Sequence, residues 1–342
     1  MGKKIALAFL VVCLILGGIG LYVYQHIYSS NFDVGKGRSE AYVYVPTGAD
    51  FEEVMAILID SGFVIDEAGF RATAELKKYT EYVKAGRFKL ETGMTNNEAI
   101  NSLRSQNIPV DVTFNNISTF SKLAGVLSTQ LEPDSATFMQ AFTNSDLRSK
   151  YGFEEASYSA MFIPNTYEMY WNRRAEDFIE RMAKEFRTAW NSERKSKAKA
   201  MGLSQSEVST LASIVEAETK EIDEMPKVAG LYLNRLDIGM RLQADPTVKY
   251  ALNDPTIKRI YEVDLKVESP YNTYLYAGLP PGPIAFPSIR AIDAVLNAKE
   301  HGYLYMCARP DYSGYHNFAK TLRQHNQNGA KYHAFLRKEG IR

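Results

Sequence analysis

After Lys3 and Lys4, residues 5–24 form a run of twenty uncharged, mostly apolar positions. A run of that length crosses the hydrocarbon of a bilayer as one helix. Lysines ahead of it favour an N-terminus left in the cytoplasm and a body exported to the other side. A cleaved signal peptide is the competing reading, but residues 22–30 offer no small-x-small cleavage site, which favours a retained single-pass anchor over residues 1–28. Residues 29–40 are polar and contain glycine, the pattern of a linker. A two-copy repeat follows. Residues 42–45 read as a strand, and Thr47-Gly48-Ala49-Asp50 turns into a helix carrying Val54, Met55, Ile57 and Leu58. Residues 87–90 read as a second strand, and Thr92-Gly93-Met94-Thr95 turns into a helix carrying Ala99, Ile100 and Leu103. Glu53 and Glu98 stand three residues after Asp50 and Thr95, the spacing of a capping box in which each side chain satisfies free N–H groups at the helix start. The repeat ends near Gln106 and predicts a small α+β module over 41–112, readable equally as a spacer without a site of its own.

The pattern then becomes helical over 113–342. Residues 114–148 carry two short helices punctuated by Pro133 and by residues 144–146, and residues 177–200 read as one long helix ending in Lys and Arg, a solvated face. Ser204 with Glu207 is a further capping-box pair and opens a helix running to about Thr219. Pro226 fits the first turn of the next helix, which closes at Gly239. Asp245-Pro246 reads as a cap followed by a first-turn proline. Residues 268–287 contain five prolines and two glycines and predict an irregular loop of the kind that walls a cleft.

Composition narrows the function. The 40 basic and 40 acidic residues cancel, which argues against a nucleic-acid binder held by surplus Lys and Arg. A sugar-rich substrate is compatible with that balance. Most of the 22 Tyr and 17 Phe must pack the core, and a minority are available to stack on sugar rings. The two cysteines, Cys13 and Cys307, are too few and too far apart for a disulfide framework or a zinc site. Cys13 reads as a small hydrophobe in the apolar run, and Cys307 as a buried thiol in an apparent strand over 303–308.

One carboxylate stands out. Leu211, Ile214, Val215 and Glu218 fall at i, i+3, i+4 and i+7 and share a helix face. Glu216, two residues away, is rotated by roughly 200° toward water at 3.6 residues per turn. Burial disfavours the charged form of a carboxyl and raises its pKa, and a Glu still protonated near neutrality can donate a proton to a glycosidic oxygen. A Glu218 solvated at a frayed helix end, or paired with an arginine, satisfies the same periodicity.

The stretch Leu211-Ala-Ser-Ile-Val-Glu-Ala-Glu218-Thr219 resembles the signature helix of the YceG-like, MltG-type family of endolytic murein transglycosylases. The resemblance continues through Val228-Ala229, Asn234-Arg235-Leu236 and Ile238-Gly239-Met240-Arg241-Leu242-Gln243-Ala244-Asp245-Pro246-Thr247-Val248. It extends over Tyr271-Asn272-Thr273-Tyr274 and Gly278-Leu279-Pro280-Pro281-Gly282-Pro283-Ile284, and reaches His316-Asn317-Phe318, Thr321 and His325-Asn326. It implies an α+β protein with an N-terminal transmembrane helix, a LysM-like module over the repeat and a lysozyme-like catalytic region. It further implies Glu218 as catalytic acid, and cleavage of the MurNAc–GlcNAc bond within glycan strands to leave a 1,6-anhydro ring, without water, metal or cofactor. Peptidoglycan strands and peptidoglycan synthases (penicillin-binding proteins) are the implied partners, at the cell (inner) membrane with the catalytic domain outside the cytoplasm. Gln243 and Asp245 are candidates to orient the substrate, although Asp245 serves equally as a helix cap. Tyr271, Asn272 and Thr273 are candidate groove contacts by stacking and hydrogen bonding. His316 and His325, nine residues apart without a clustered Cys or acid, give a weak metal signal and fit packing or hydrogen-bonding roles, as Asn234 and Arg235 fit support of a helix pair. Where the family pattern is Phe-Pro-Asp-Thr-Tyr, this chain reads Phe162-Ile163-Pro164-Asn165-Thr166-Tyr167, so no catalytic proton is assigned there. Two other classes stay open: a lysozyme-type hydrolase using Glu218 with Asp245, and a non-catalytic glycan-binding scaffold.

Overall fold

The computed structural model describes residues 2–105, 107–254, 256–257 and 259–340. Gln106, the expected end of the repeat, lies outside the described residues, as do Met1 and Arg342, the outer bounds of the expected anchor and catalytic regions. Helix α1 (Gly2–Tyr28) is exposed, and an 18-residue window within its Lys4–Tyr28 span has a mean hydropathy of 2.6. By length and composition it can cross a membrane.

The chain falls into two compact units. The first takes the residues up to Val112, with Ser128–Pro133 and Tyr167–Arg174. It holds β1 (Glu40–Val45), α2 (Phe51–Asp60), α3 (Glu67–Leu76), β2 (Gly86–Glu91) and α4 (Asn96–Ser105). Strands β1 and β2 pair antiparallel, with Val43 opposite Phe88 and Tyr44 opposite Arg87. The pleat sends Val43, Val45, Phe88 and Leu90 into a core shared with Val54, Leu58, Phe70, Ile100 and Leu103. Both capping boxes of the repeat form: Asp50 Oδ1 accepts from Glu53 N–H at 2.9 Å, and Thr95 N–H donates to Glu98 Oε2 at 2.9 Å. Helix α3 has no counterpart in the repeat. Asp66 caps it, and only Phe70, Thr73 and Ala74 of its longer side chains turn inward.

The expected linker is corrected. Phe32 and Val34 are each 1% exposed within the same core. The Asn31 amide donates to Asp66 O at 2.8 Å and to Asn96 Oδ1 at 2.7 Å, and the Asn96 amide reaches His26 O at 2.6 Å. Asn31, Phe32 and Val34 are thus buried in the module while residues 35–40 stay exposed, and the end of α1 is tied to it. Strand β3 (Val110–Phe114) pairs with β4 (Asn165–Met169).

The second unit holds α5 (Phe120–Ser128), α6 (Ser135–Thr143), α7 (Ser145–Lys150), α8 (Ala175–Ala189), α9 (Ser192–Ala200), α10 (Gln205–Glu218), α11 (Met225–Asp237), α12 (Asp245–Leu252), α13 (Ile289–Leu296), β5 (Tyr305–Ala308), β6 (His316–Ala319) and α14 (Leu322–Lys338). The single long helix expected over 177–200 is two helices. Trp190 is 1% exposed and Asn191 Oδ1 accepts from Arg194 N–H at 3.0 Å, so a buried ring and a cap break the run. Helix α10 starts as expected, with Ser204 and Glu207 closing their capping box. It packs against α9, α11, α12 and α13, and every residue of Val208–Val215 is buried, so it is a central helix and not an amphipathic one. Two of its inward hydroxyls are satisfied within the helix: Thr210 Oγ1 donates to Ser206 O at 2.8 Å, and Ser213 Oγ to Thr210 O at 2.7 Å.

Candidate active site

Glu218 is the last residue of α10, and two cavities meet at its carboxyl. The larger, about 1150 Å³, is lined by Ser121, Lys122, Lys249, Tyr250 and Ile284. The smaller, about 430 Å³, is lined by Arg235, Gln243, Tyr274, Cys307 and His316. Glu218 and Asp245 line both. The Pro-rich loop over 268–287 forms part of the wall as an irregular segment, held where Ile284 N–H donates to Ser213 Oγ at 3.0 Å. Gly282 permits this course, since a Cβ there would lie 1.7 Å from Ala156 O.

Helix α11 supplies the partner of the acid. The buried Tyr232 hydroxyl donates to Glu218 Oε1 at 2.7 Å. Burial pushes the Glu218 carboxyl up to about 7, and the charge of Asp245 pushes the same way. The Tyr232 hydrogen bond, and the proximity of His316 and Arg235, pull it back. Tyr232 itself is held far above its ordinary range, first by burial and then by the Glu218 charge. Glu218 is therefore a carboxyl at the edge of ionisation near neutral pH.

Asp245 is not the helix cap. Ala244 occupies that position and Asp245 is the first residue of α12, where its Oδ1 accepts from the Tyr274 hydroxyl at 2.6 Å. Gln243 adopts φ +48, rare for a residue with a Cβ, and its N–H donates to Thr273 O at 3.1 Å. That bend leaves the Gln243 side chain exposed at the smaller cavity. Asn272 and Thr273, expected in the groove, are buried. The Asn272 amide donates to Leu265 O at 2.9 Å and Val267 O at 2.8 Å. Thr273 Oγ1 accepts from Ala244 N–H at 3.0 Å and bonds Thr247 Oγ1 at 2.8 Å. Thr273 thus braces the turn that carries Gln243 and Asp245, and Asn272 ties its own loop to residues 265–267. Tyr271 packs on Tyr250 with ring centroids 4.7 Å apart.

Glu216 is not directed simply into water: it is half-buried and accepts from Ser288 N–H at 2.9 Å, fastening α10 to the start of α13. Cys307 is half-buried at the smaller cavity, in a strand shorter than expected. Sequence reasoning missed three groups. Tyr274 sat unassigned inside a quoted motif. Tyr232 lies on another helix, where no spacing connects it with Glu218. Glu224, 4% exposed, accepts from both the backbone N–H of His316 and its Nδ1, each at 2.8 Å, and so fixes that imidazole at the cavity. His325 stacks on Tyr305 at 5.4 Å. Asn234 and Arg235 tie α11 to the stretch before β5, through Asn234 Nδ2 to His301 O at 2.7 Å and Arg235 Nε to Leu304 O at 2.6 Å. Residues 161–167 line neither cavity.

A family model described as the YceG-like family matches residues 43–331. The chain belongs to the YceG-like family. Among its relatives, a protein of Bacillus subtilis strain 168 named an endolytic murein transglycosylase is 38% identical over 157 residues, which are 46% of this chain and 42% of that protein. A protein of the same name from Streptococcus pneumoniae serotype 2 strain D39 is 25% identical across 96% of this chain and 65% of its own length. The chain thus spans less than two thirds of both named relatives. A crystal structure of a yceG-like protein from Listeria monocytogenes superposes with a TM-score of 0.59 at 26% identity, covering 84% of this chain and 98% of that one. The matched region includes every residue named above as lining the two cavities.

Proposed function

We propose that this chain is an endolytic peptidoglycan lytic transglycosylase, a lyase that cuts the MurNAc–GlcNAc bond within glycan strands and leaves 1,6-anhydro-MurNAc ends. One observation carries the reading: a carboxyl held to about 7 where two cavities join. Tyr232 occupies Glu218 Oε1, which leaves Oε2 to carry the proton toward the substrate. Glu218 gives that proton to the glycosidic oxygen as the C1–O bond breaks and positive charge grows on the muramic ring. The carboxylate left behind then takes the proton of the 6-hydroxyl as O6 bonds to C1. One residue serves both steps and no water is consumed. Asp245, Gln243 and Tyr274 serve as substrate contacts, with Tyr250 and Tyr271 as a stacking wall. The antiparallel pair β1–β2 backed by α2, α3 and α4 supports a LysM-like reading of the first unit, and the helical second unit a lysozyme-like one. Lys4 at the start of α1 supports a cytoplasmic N-terminus, a body outside the cell membrane, and peptidoglycan synthases as neighbours that the enzyme serves by ending strand growth.

Asp245 lines both cavities beside Glu218, the observation that favours a hydrolase as second reading, since hydrolysis uses two carboxyl groups. Mass analysis of purified glycan strands digested by the full chain separates the two. Anhydro ends, absent with Glu218→Gln, are expected. Reducing ends assign a hydrolase, and uncut strands a binding scaffold.

A further inference from the structure

The larger cavity carries charge that the cleavage chemistry does not use. At about 1150 Å³ it exceeds the range of about 300–1,000 Å³ usual for ligand sites. Three lysines from separate stretches of the chain line it: Lys122 on α5, Lys220 just past α10 and Lys249 on α12. All three are exposed. The Lys122 ammonium donates to Ser118 Oγ at 3.1 Å, a neutral partner. The carboxylates on the same wall are turned to other donors. Asp245 Oδ1 accepts from the Tyr274 hydroxyl at 2.6 Å, although Lys249 stands one turn further along α12. Asp254 Oδ1 accepts from the Thr256 N–H at 2.8 Å and from its hydroxyl at 2.7 Å. Among the described residues none of the three ammonium groups forms an ion pair. The chain as a whole is neutral, so the unpaired positive charge belongs to this cavity and not to a generally basic surface.

The sugar rings of a glycan backbone present hydroxyls and N-acetyl groups and no charge, so they give these lysines nothing to pair with. Ammonium groups close to the reacting bond would also oppose the positive charge that grows on the muramic ring. The charges that act on the Glu218 carboxyl are those of Asp245, His316 and Arg235, and the three lysines stand outside that circle. Their chemistry fits negative groups that hang from the strand. On muramic sugars those groups are peptides joined through the lactyl side chain, whose free carboxylates an ammonium recognises as a point charge. We propose that the larger cavity takes an acidic peptide borne by the strand, with Lys122, Lys220 and Lys249 as specificity-determining contacts for its carboxylates. The substrate is then glycan that still carries its peptides, with their carboxyls free. The nature of the strand rests on the transglycosylase reading; the demand for carboxylates rests on the lysines.

The full-length chain in detergent, carrying Glu218→Gln to prevent cleavage, is titrated against fluorescently labelled, un-crosslinked glycan strands in two forms. One form keeps its peptides untouched. The other has the peptide carboxyls converted to amides with carbodiimide and ammonium chloride, which removes charge and keeps bulk. Affinity is read by anisotropy. The untouched strands should bind about tenfold tighter, the combined size of two or three exposed ion pairs. That advantage should shrink in about 0.5 M salt, which screens such pairs. The triple variant Lys122→Gln, Lys220→Gln, Lys249→Gln should bind both forms alike. Its counterpart Lys122→Arg, Lys220→Arg, Lys249→Arg keeps the charge and should hold the preference within about threefold. Equal affinity of the parent for the two forms, or a preference that survives the glutamine variant, overturns the proposal. Melting matched to the parent certifies that both variants are folded. Cleavage by the wild type is scored separately on the untouched strands. A carboxylate preference without anhydro ends overturns only the transglycosylase reading, and anhydro ends with equal affinities overturn only this inference.

Discussion

Replacing Glu218 by glutamine should make the fold more stable, and only above a definite pH. In the folded chain the carboxyl titrates at about 7 against an ordinary 4.5, chiefly because it is buried. The direction follows from proton counting. Between those two values the folded chain keeps a proton that the unfolded chain has released, so stability falls as pH rises through the interval and levels off above 7. At about 1.4 kcal/mol per pKa unit, the ionised fold carries a penalty of about 3 kcal/mol at pH 8. Glutamine keeps an oxygen to accept from Tyr232 and never ionises, so it escapes the penalty. The assay is denaturant unfolding followed by Trp190 emission in a Trp171→Phe background, where the signal belongs to the second unit. Parent and Glu218→Gln should differ little at pH 4, diverge between pH 4.5 and 7, and stay apart by about 3 kcal/mol at pH 8. A difference independent of pH, or one favouring the parent at pH 8, refutes the burial argument. The same titration should govern cleavage, with kcat/KM falling above about pH 7 as the proton is lost.

Two neighbours should move that alkaline limb in opposite directions. Tyr232→Phe removes a donor that favours the carboxylate and should shift the limb to higher pH, while Asp245→Asn removes a repelling charge and should shift it lower; pH–rate profiles of both variants check the signs, and shifts of the same sign contradict the assignment. Gly282→Ala should cost about 1–3 kcal/mol of stability and lower cleavage, because the new methyl meets Ala156 O and must displace a loop fastened to Ser213; denaturation and turnover measured together test it, and an unchanged midpoint counts against the close approach.

Local grammar carried part of this structure. Ser204 with Glu207, Asp50 with Glu53 and Thr95 with Glu98 each settle a helix start within four residues, so the sequence shows them. Glu218 was legible because its position follows from the same helix. What surrounds it was not, since the Tyr232 hydroxyl arrives from α11 and Asp245 meets Tyr274 across 29 residues. Asn272 and Thr273 sit in a motif with groove-like chemistry, yet their hydrogen bonds are consumed inside the turn. Residues 31–34 looked like a linker because two buried apolar side chains among polar neighbours produce no periodicity. The break between α8 and α9 was hidden for the converse reason: residues on both sides are good helix formers, and only the burial of Trp190 and the cap at Asn191 interrupt them.

Helix α10 runs toward the cavities, so Glu218 stands where its last peptide carbonyls point. Aligned peptide dipoles leave roughly half a negative charge at such an end, an influence of about 0.3–1 kcal/mol that opposes a second negative charge beside it. The backbone of α10 therefore favours the uncharged acid whatever side chains line the groove. Reversing the helix direction with the same side chains would turn that influence toward ionisation. The polarity of one helix is thus part of the acid's chemistry, and it is a property that substitution of the surrounding residues leaves in place.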